Sequence, residues 1–283
     1  MGKNRRWIFP LQFLYWGDDM ALIGKFPLIT VTNPKNPPRY TYTGQSELIK
    51  GPDIWKIKFV TSGVFTLLSP TKLGVDVFLV GGGGGGFGSG GGGGYTTNGV
   101  TILQKGVDYK ILIPSGGVGG ESATDGGTCT AFGFVAAGGG KGGMDGGDGG
   151  SGGGALNNRD NGGSGGSDGV RGSNGMHYSL TLKEECLGGT GQIASTREFG
   201  EPSGVLYSGG GGGYGLMAFG EGGAGGGGNG GTGDRNWTQP AESATYYGGG
   251  GGGGGVEGLS GSGYQGITII RNHLNPHSGS VIN

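Results

Sequence analysis

The sequence has very few of the residues from which catalytic and metal sites are built. It contains 3 histidines and 2 cysteines in 283 residues. Cys129 and Cys186 have neither metal-ligand nor redox spacing, and we interpret them as free thiols, with a single disulfide as the alternative. His273 and His277 fall in a polar tail, which leaves only His177 in the interior of the sequence, too little for a Ser-His-Asp or Cys-His arrangement. We therefore expect no enzymatic activity, no cofactor and no metal.

Long apolar runs and a charge excess are also missing. No run approaches the ~20 apolar residues of a membrane span, so membrane insertion is not expected. The 19 Lys and Arg residues nearly balance the 20 Asp and Glu residues, for a formal net charge of −1. A basic patch of the kind that nucleic acid requires is lacking, so nucleic acid is not an expected partner. The pattern Gly-x-Gly-x-x-Gly recurs through glycine density alone, and no helix follows it to bind a dinucleotide.

Glycine, in contrast, accounts for 81 of the 283 residues, about four times its usual share of ~7 %. A glycine loses more backbone entropy on folding than any other residue, so glycine runs usually stay disordered. Here strand-like segments such as 77–80 and 267–270 bound the runs directly, which is unlike a flexible linker padded with serine. Collagen is also excluded, because the strict Gly-X-Y period is missing and there are only 11 prolines. We therefore predict anchored, ordered glycine tracts.

The tracts consist mainly of glycine, with some alanine and serine, and they span residues 81–86, 90–94, 138–154, 162–166, 188–191, 209–213, 222–231 and 248–255. Several repeat every three residues, which is the period of the polyproline-II conformation. Such a helix has no internal hydrogen bonds, but chains without Cβ atoms can approach closely enough for each N–H to reach a neighbouring carbonyl. The pattern therefore predicts a lateral bundle of polyglycine-II helices.

Alternating and β-branched residues predict seven strand regions, at residues 55–60, 63–68, 75–80, 100–103, 109–113, 128–136 and 266–270. Because predicted strands lie at both ends of the domain with the glycine tracts between them, the two ends of the domain must pair in space. Helical periodicity of useful length is absent. The predicted fold class is mainly β: a small antiparallel β scaffold, sandwich or jelly-roll-like, with an inserted bundle of polyglycine-II helices.

Three regions follow from this pattern. Residues 1–45 are predicted to be an extended arm or attachment segment with a short strand at 26–31, residues 46–272 to be the glycine-rich domain, and residues 273–283 to be a tail. The first nineteen residues imitate a secretory leader, but Pro10 and Gln12 interrupt the apolar stretch and no cleavage site follows. Whether Met1 or Met20 is the natural start stays open at this stage.

The strand at residues 75–80 runs directly into the tract 81–86, and the next tract ends at Tyr95. This junction and the closing residues 263–270 resemble the glycine-rich domain of the anaplastic lymphoma kinase receptor family. The resemblance covers residues 55–271. The chain also looks like stand-alone glycine-rich proteins encoded among the tail genes of phages and prophages of Firmicutes. By architecture it is similar to the adhesin at the tip of T-even-like phage long tail fibres, which implies a sandwich of polyglycine helices with variable distal loops.

The resemblance implies a phage or prophage tail-associated structural protein or adhesin, made in the bacterial cytoplasm and located in the virion or outside the cell. Its arm would attach to a fibre or baseplate protein, and its loops would bind a bacterial cell-surface receptor. No kinase domain, membrane span or cysteine-rich repeat is present, so receptor signalling is not implied. The alternatives are a purely structural fibre or virion component and, as a weaker one, an ice-binding protein. Host, receptor and homo-oligomer formation stay open.

Aromatic and charged residues concentrate between the tracts, and such residues supply large contact areas at little entropic cost. The alternative is that aromatic residues next to glycine, such as Tyr95, Tyr214 and Tyr247, cover the ends and flanks of the bundle. The candidate binding residues are His177, Tyr178, Tyr207, Phe219, Arg235, Trp237 and Tyr246.

Overall fold

The computed structural model describes residues 36–156, 196–215, 219–234, 237–254 and 259–273. Within these ranges the chain is mainly β, with antiparallel sheets and a single short 3-10 helix, η1 (Glu198–Gly200). The strands, in chain order, are β1 (Arg39–Tyr42), β2 (Ser46–Lys50), β3 (Trp55–Phe59), β4 (Gly63–Ser69), β5 (Lys72–Val80), β6 (Thr96–Gln104), β7 (Asp108–Ile111), β8 (Cys129–Ala131), β9 (Phe134–Ala136), β10 (Thr232–Asp234), β11 (Trp237–Gln239) and β12 (Ile267–Asn272).

A five-stranded antiparallel sheet with the order β2-β3-β12-β5-β6 is the centre of the fold. The last strand, β12, lies in its middle, where Ile270 stands opposite both Ile57 of β3 and Val77 of β5. Every residue of β12 is buried, as are all residues of β5 after Lys72. This is the environment that favours their nearly continuous apolar sequences. The prediction that the two ends of the domain pair in space is therefore confirmed.

A second layer packs on one face of this sheet. It consists of the three-stranded sheet β1-β4-β7 and the hairpin β8-β9. The core between the layers is rich in aromatic side chains: the Phe59 and Phe65 rings meet edge to face at 5.7 Å, and Phe132 lies 5.8 Å from Phe65. Phe132 reaches this position from the turn of the hairpin, where it has a φ of 53°. Two packed β layers around one apolar core are what a sandwich requires.

All seven predicted strand regions contain strands, with the region 128–136 divided into the hairpin β8-β9. The short strands β1, β2, β10 and β11 are not among the sequence predictions. β1 pairs with β4 although its residues fall within the segment 1–45, so the last part of that segment belongs to the sheets. The predicted strand at 26–31 lies outside the described residues.

Cys129 is buried between the layers as a free thiol among the described residues, and its Sγ lies 3.2 Å from the Thr268 hydroxyl. Burial raises the pKa of this thiol to about 11. Cys186, its only candidate partner in the sequence, lies outside the described residues, so the disulfide alternative is not decided.

The other face of the five-stranded sheet carries a second, smaller core. Phe78, Ile267 and Ile269 point to this side and pack with Tyr207. The segment around η1 covers them, and ion pairs hold it in place: Glu201 Oε1 accepts from Arg271 at 2.6 Å, and Glu198 pairs with Lys56. The sheet is therefore covered on both faces over part of its area.

The glycine tracts bond to one another through backbone groups. In the tract at residues 81–86 each N–H donates to one of three neighbouring chain segments, which are residues 92–95, 124–127 and 261–264. Every third N–H donates to the same segment. The pairs are Gly81 with Tyr95, Gly82 with Gly127, Gly83 with Tyr264, Gly84 with Gly92, Gly85 with Thr124, and Gly86 with Gly261, at 2.8 to 3.0 Å.

The carbonyl groups of the same tract face three further segments. Gly139 and Gly142 donate to one side, Gly117 and Gly120 to a second, and Gly251 to a third, at 2.8 to 2.9 Å. The tract is therefore enclosed by six segments. All six of its N–H groups and the carbonyl groups of residues 82 to 86 are hydrogen-bonded without regular β pairing, as buried backbone requires. In the tract 90–94, too, every N–H donates to a backbone carbonyl of a neighbouring segment.

These contacts leave no space for a side chain. A Cβ atom added at any residue from 81 to 86 would lie 1.9 to 2.2 Å from a backbone carbonyl oxygen of an adjacent segment. None of these glycines has a positive φ. Close approach of the chains, and not an unusual φ, is therefore what requires glycine here.

We expect Gly84→Ala to destabilise the protein by about 3 kcal/mol or more, because its Cβ would stand 2.1 Å from the Gly140 carbonyl oxygen and backbone cannot rotate away. Gly143→Ala is the matched control, since a Cβ there meets nothing within 4 Å; we expect a change within about 1 kcal/mol. Urea unfolding of both variants measures the difference. Equal midpoints for the two variants would contradict this account of the packing.

Candidate binding surface

The glycine tracts carry the chain away from the sheets and back. The tract 81–86 continues from the end of β5, and the tract 90–94 returns to the start of β6. The turn at residues 87–89 is therefore the part of this hairpin farthest from the five-stranded sheet. We call the surface around this turn the distal surface and define it by its large side chains: Phe87, Met144, Leu156, Tyr214 and Leu259.

Backbone contacts gather these residues around the turn. The Phe87 carbonyl accepts from Gly254 N–H at 2.6 Å and from the Ser260 hydroxyl at 2.7 Å, which brings Leu259 alongside. The Gly88 carbonyl accepts from Tyr214 N–H at 3.3 Å.

On the other side of the turn, Ser89 N–H donates to the Gly143 carbonyl at 3.1 Å, which brings Met144 to the same end. A Cβ on Gly88 would come within 3.3 Å of a Leu156 methyl carbon. Segments that are far apart in the sequence therefore meet around the turn at residues 87–89.

The distal surface combines apolar side chains with solvent access. Met144 is 54% exposed and Leu259 is 45% exposed, whereas Phe87, Leu156 and Tyr214 are half-buried. Exposed apolar side chains of this kind are suited to contacting a partner.

The candidate residues from the sequence divide between the two ends of the tracts. Phe219 is half-buried next to Gly220, whose N–H donates to the Gly213 carbonyl at 3.1 Å. Trp237 lies in β11, opposite Asp234 of β10, and the Tyr214 hydroxyl donates to the Gly233 carbonyl in the same hairpin. Both candidates therefore lie near the distal surface. His177, Tyr178 and Arg235 are outside the described residues.

Tyr207 lies at the opposite end, next to the sheet, and is fully buried. Its ring centroid is 5.2 Å from that of Phe78, and its hydroxyl donates to Glu198 at 3.0 Å. Burial, and next the charge of Glu198, raise the pKa of Tyr207, so the hydroxyl stays protonated and continues to donate. In this structure Tyr207 belongs to the core, and no partner can reach it.

Tyr246 continues a row of rings from Tyr207 towards solvent. Its centroid lies 5.2 Å from Tyr207 and 5.2 Å from Tyr247, which in turn is 5.5 Å from Tyr264. Exposure rises along the row to 38% at Tyr264. Tyr246 and Tyr247 therefore cover the flank of the bundle beside the sheet, as the alternative interpretation expected for Tyr247.

Sequence reasoning missed Phe87, Met144, Leu156 and Leu259. Each is a lone apolar residue between glycines or next to a tract, and such isolated residues are normal on surfaces. Their only signal is position: Phe87 stands at the break between the tracts 81–86 and 90–94.

A shallow groove of about 280 Å³ lies on the outer face of the sheet between Val100 and Phe199. The Arg271 guanidinium in its wall stands 4.1 Å from the Phe199 ring centroid and donates to Asp76 at 2.9 Å. Its charge is therefore already neutralised by protein groups. In the described part of the chain, no group of three or more His, Cys, Asp or Glu side chains could hold a metal, and no helix there is long and apolar enough to cross a membrane.

We expect Tyr207→Phe to destabilise the fold by about 1 to 3 kcal/mol, because the buried Glu198 carboxylate loses a donor. Tyr264→Phe is the control, since that ring is partly exposed, and we expect a change within about 0.5 kcal/mol. Thermal and urea unfolding test the pair. Equal stability of the two variants would show that the Tyr207 hydroxyl contributes nothing to the fold.

The sequence of the chain also matches a known protein family. A family model described as a glycine-rich domain matches residues 60–273, which run from the end of β3 to just past the end of β12. No curated protein matches the chain. Since the family match covers well over half of its length, the chain belongs to the glycine-rich domain family.

Proposed function

We propose that the protein is a phage or prophage tail-associated adhesin in which a bundle of polyglycine-II helices carries the distal surface to a receptor on the bacterial cell. The observation that carries the proposal is the enclosure of the tract 81–86 by six hydrogen-bonded segments. Such a bundle is stiff, because moving one tract requires breaking backbone hydrogen bonds to several others. Binding residues on a stiff support lose little entropy when they engage a partner.

The polyglycine-II assignment rests on the period of the hydrogen bonds. Within the tract 81–86, every third N–H returns to the same neighbouring segment, as expected of a helix with three residues per turn. A β-strand would instead alternate between two sides. At ~3.1 Å per residue, a six-residue tract holds the distal surface about 19 Å from the edge of the sheet.

Amide exchange distinguishes this arrangement from the alternatives. We expect slow exchange at every consecutive N–H from Gly82 to Gly86, because each one donates inside the bundle. An edge strand would protect alternate residues, and a flexible linker would protect none. Either of those results, measured by NMR on the intact chain, would remove the stiff support on which the adhesin proposal depends.

The adhesin interpretation is supported by the distribution of side chains. The tracts contact one another through backbone atoms. Exposed apolar side chains such as Met144 and Leu259 lie instead at the distal surface. Phe219 and Trp237, named from the sequence as candidates, lie near the same end. The N-terminal arm would provide attachment to a fibre or baseplate protein, as the resemblance to phage tail proteins implies.

To test this, fluorescently labelled protein is incubated with intact cells of a panel of Firmicutes strains. We expect saturable binding to some strains, reduced at least tenfold by the double substitution Met144→Glu and Leu259→Glu, because loss of central apolar contacts typically costs over ~1.4 kcal/mol. Val135→Glu is the matched control, since this side chain is 57% exposed on β9, close to the sheets.

Equal loss in the control would mean that the charge, and not the distal surface, determines binding. Saturable binding that the double substitution leaves intact would place the receptor contact elsewhere on the chain. A wild-type protein that binds no strain of the panel would favour the second candidate, a purely structural virion component.

A further inference from the structure

The edge strand β6 lacks the features by which proteins usually protect the edge of a sheet. It pairs with β5 over nine consecutive residues without a bulge, and no described strand lies on its other side. Its sequence, Thr-Thr-Asn-Gly-Val-Thr-Ile-Leu-Gln, contains neither a charged residue nor a proline. Charges, prolines and bulges are the common devices that keep an open edge from pairing with another chain. β6 is therefore a template for a further strand.

Hydrogen bonds at both ends of β6 show which of its backbone groups point away from the sheet. Lys105 N–H donates to the Thr71 carbonyl at 2.9 Å, and Gly81 N–H donates to the Tyr95 carbonyl at 2.9 Å. Bonded and non-bonded residue pairs alternate along an antiparallel ladder. The odd-numbered residues of β6 therefore bond to β5, and the N–H and C=O groups of its even-numbered residues point outwards.

Three of these even-numbered residues have open backbone groups. Gln104 N–H donates to the Tyr109 hydroxyl at 2.8 Å, whereas the outward groups of Asn98, Val100 and Ile102 have no backbone partner among the described residues. The side chains of Val100 and Ile102 lie together on the outer face of the sheet, where they are 56% and 44% exposed. The edge thus combines unused hydrogen-bonding groups with adjacent apolar side chains.

We propose that two copies of the chain pair through β6, antiparallel and about a two-fold axis, so that their five-stranded sheets join into one. A second copy fits this edge because an uncharged strand meets no like charge when it faces itself. A two-fold contact also covers both edges at once and closes. Pairing of β6 with β2 of the next copy would not close, and β2 carries the charges of Glu47 and Lys50 in only five residues.

One register gives both exposed apolar side chains of the edge a partner. When the axis passes between the two copies of Thr101, Val100 of each copy lies opposite Ile102 of the other. Both residues have outward-pointing backbone groups, so each of these pairs exchanges two N–H···O bonds. Asn98 lies opposite Gln104, which places side chains that donate and accept hydrogen bonds face to face. The edge is therefore complementary to itself in both backbone and side chains.

The pairing also determines the shape of the dimer. The tract 90–94 enters β6 at Thr96, so the glycine tracts extend from this end of the strand. Antiparallel pairing places the Thr96 ends of the two strands on opposite sides of the axis. The two bundles therefore point in opposite directions, and the dimer is elongated with one distal surface at each end.

Sedimentation equilibrium of the full-length chain between roughly 1 and 300 µM tests the proposal, a range suited to a small interface. We expect a reversible change from one chain to two, and small-angle scattering at the highest concentration should show an elongated dimer. The double substitution Val100→Lys and Ile102→Lys should weaken self-association by roughly tenfold or more, because like charges then lie opposite each other.

A charge exchange separates loss of the contact from damage to the fold. The double substitution Val100→Glu and Ile102→Glu should weaken self-association in the same way. An equimolar mixture of the Lys and Glu variants should associate again, because each lysine then lies opposite a glutamate. Leu48→Lys with Ile49→Lys adds the same charge at the β2 edge and should leave association at the wild-type level.

Amide exchange by NMR identifies the strand that pairs. We expect the N–H groups of Val100 and Ile102 to exchange slowly in the dimer and on the order of tenfold faster after dilution to the monomer. The N–H groups of Gly99 and Thr101 bond to β5 and should stay protected at every concentration.

A wild-type chain that stays monomeric over the whole range would overturn the proposal. So would Lys and Glu variants that fail to associate when mixed. Protection of Val100 and Ile102 that dilution leaves unchanged would show that another segment of the same chain covers the edge, which also contradicts it. Weakened association in the β2 variant, or growth beyond two chains, would indicate head-to-tail pairing and exclude the two-fold arrangement.

Discussion

The structure depends on one interaction: a backbone N–H that meets a backbone carbonyl of another segment at a distance that admits no Cβ atom between the chains. Glycine contributes nothing to an apolar core and loses the most entropy on folding, so the tracts need another source of stability. Each hydrogen bond contributes only about 0.5 to 1.5 kcal/mol net, but an unmade one in a buried segment costs ~1 to 3 kcal/mol. In the tract 81–86 every N–H finds a partner. The bundle is thus stable as a whole, because removing one tract leaves the groups of its neighbours unsatisfied.

The sheets provide what the tracts lack, which is apolar burial. Phe59, Phe65 and Leu79 are completely buried in the main core, and this core fixes the ends of β5, β6 and β12 from which glycine segments extend. At ~25 cal/mol per Å² of buried apolar surface, such aromatic and aliphatic side chains provide the main driving force for folding. The sheet thus sets the starting positions and directions of the tracts, and the tracts in turn carry side chains such as Met144 to the distal surface. The sheets therefore supply the apolar burial that the tracts lack, and the tracts supply the extension to the distal surface that the sheets lack.

Much of this could be predicted from the sequence, and the physical reason is that its strongest signals are local. The apolar run at Val77–Val80 and the sudden change to glycine at Gly81 indicate a buried strand followed by closely packed backbone. β1 and β2 were not predicted because exposed edge strands such as Ser46–Lys50 have weak alternation. The candidate site was predicted less well. Tyr207 resembles a recognition residue in the sequence, yet long-range packing against Phe78 places it in the core, while Phe87 carries no signal apart from its position.

The place of β12 in the middle of the sheet has a consequence for how the protein is made. Ribosomes release the chain from its N-terminal end, so β3 and β5 emerge long before the strand that joins them. Until Ile267–Asn272 has been synthesised, β3 and β5 have no partner between them, and the glycine segments lack one of their anchors. The nascent chain must therefore stay open and avoid premature association until β12 has been synthesised. Sequences with few long apolar runs and abundant glycine are well suited to this delay, because they have little tendency to aggregate while they wait.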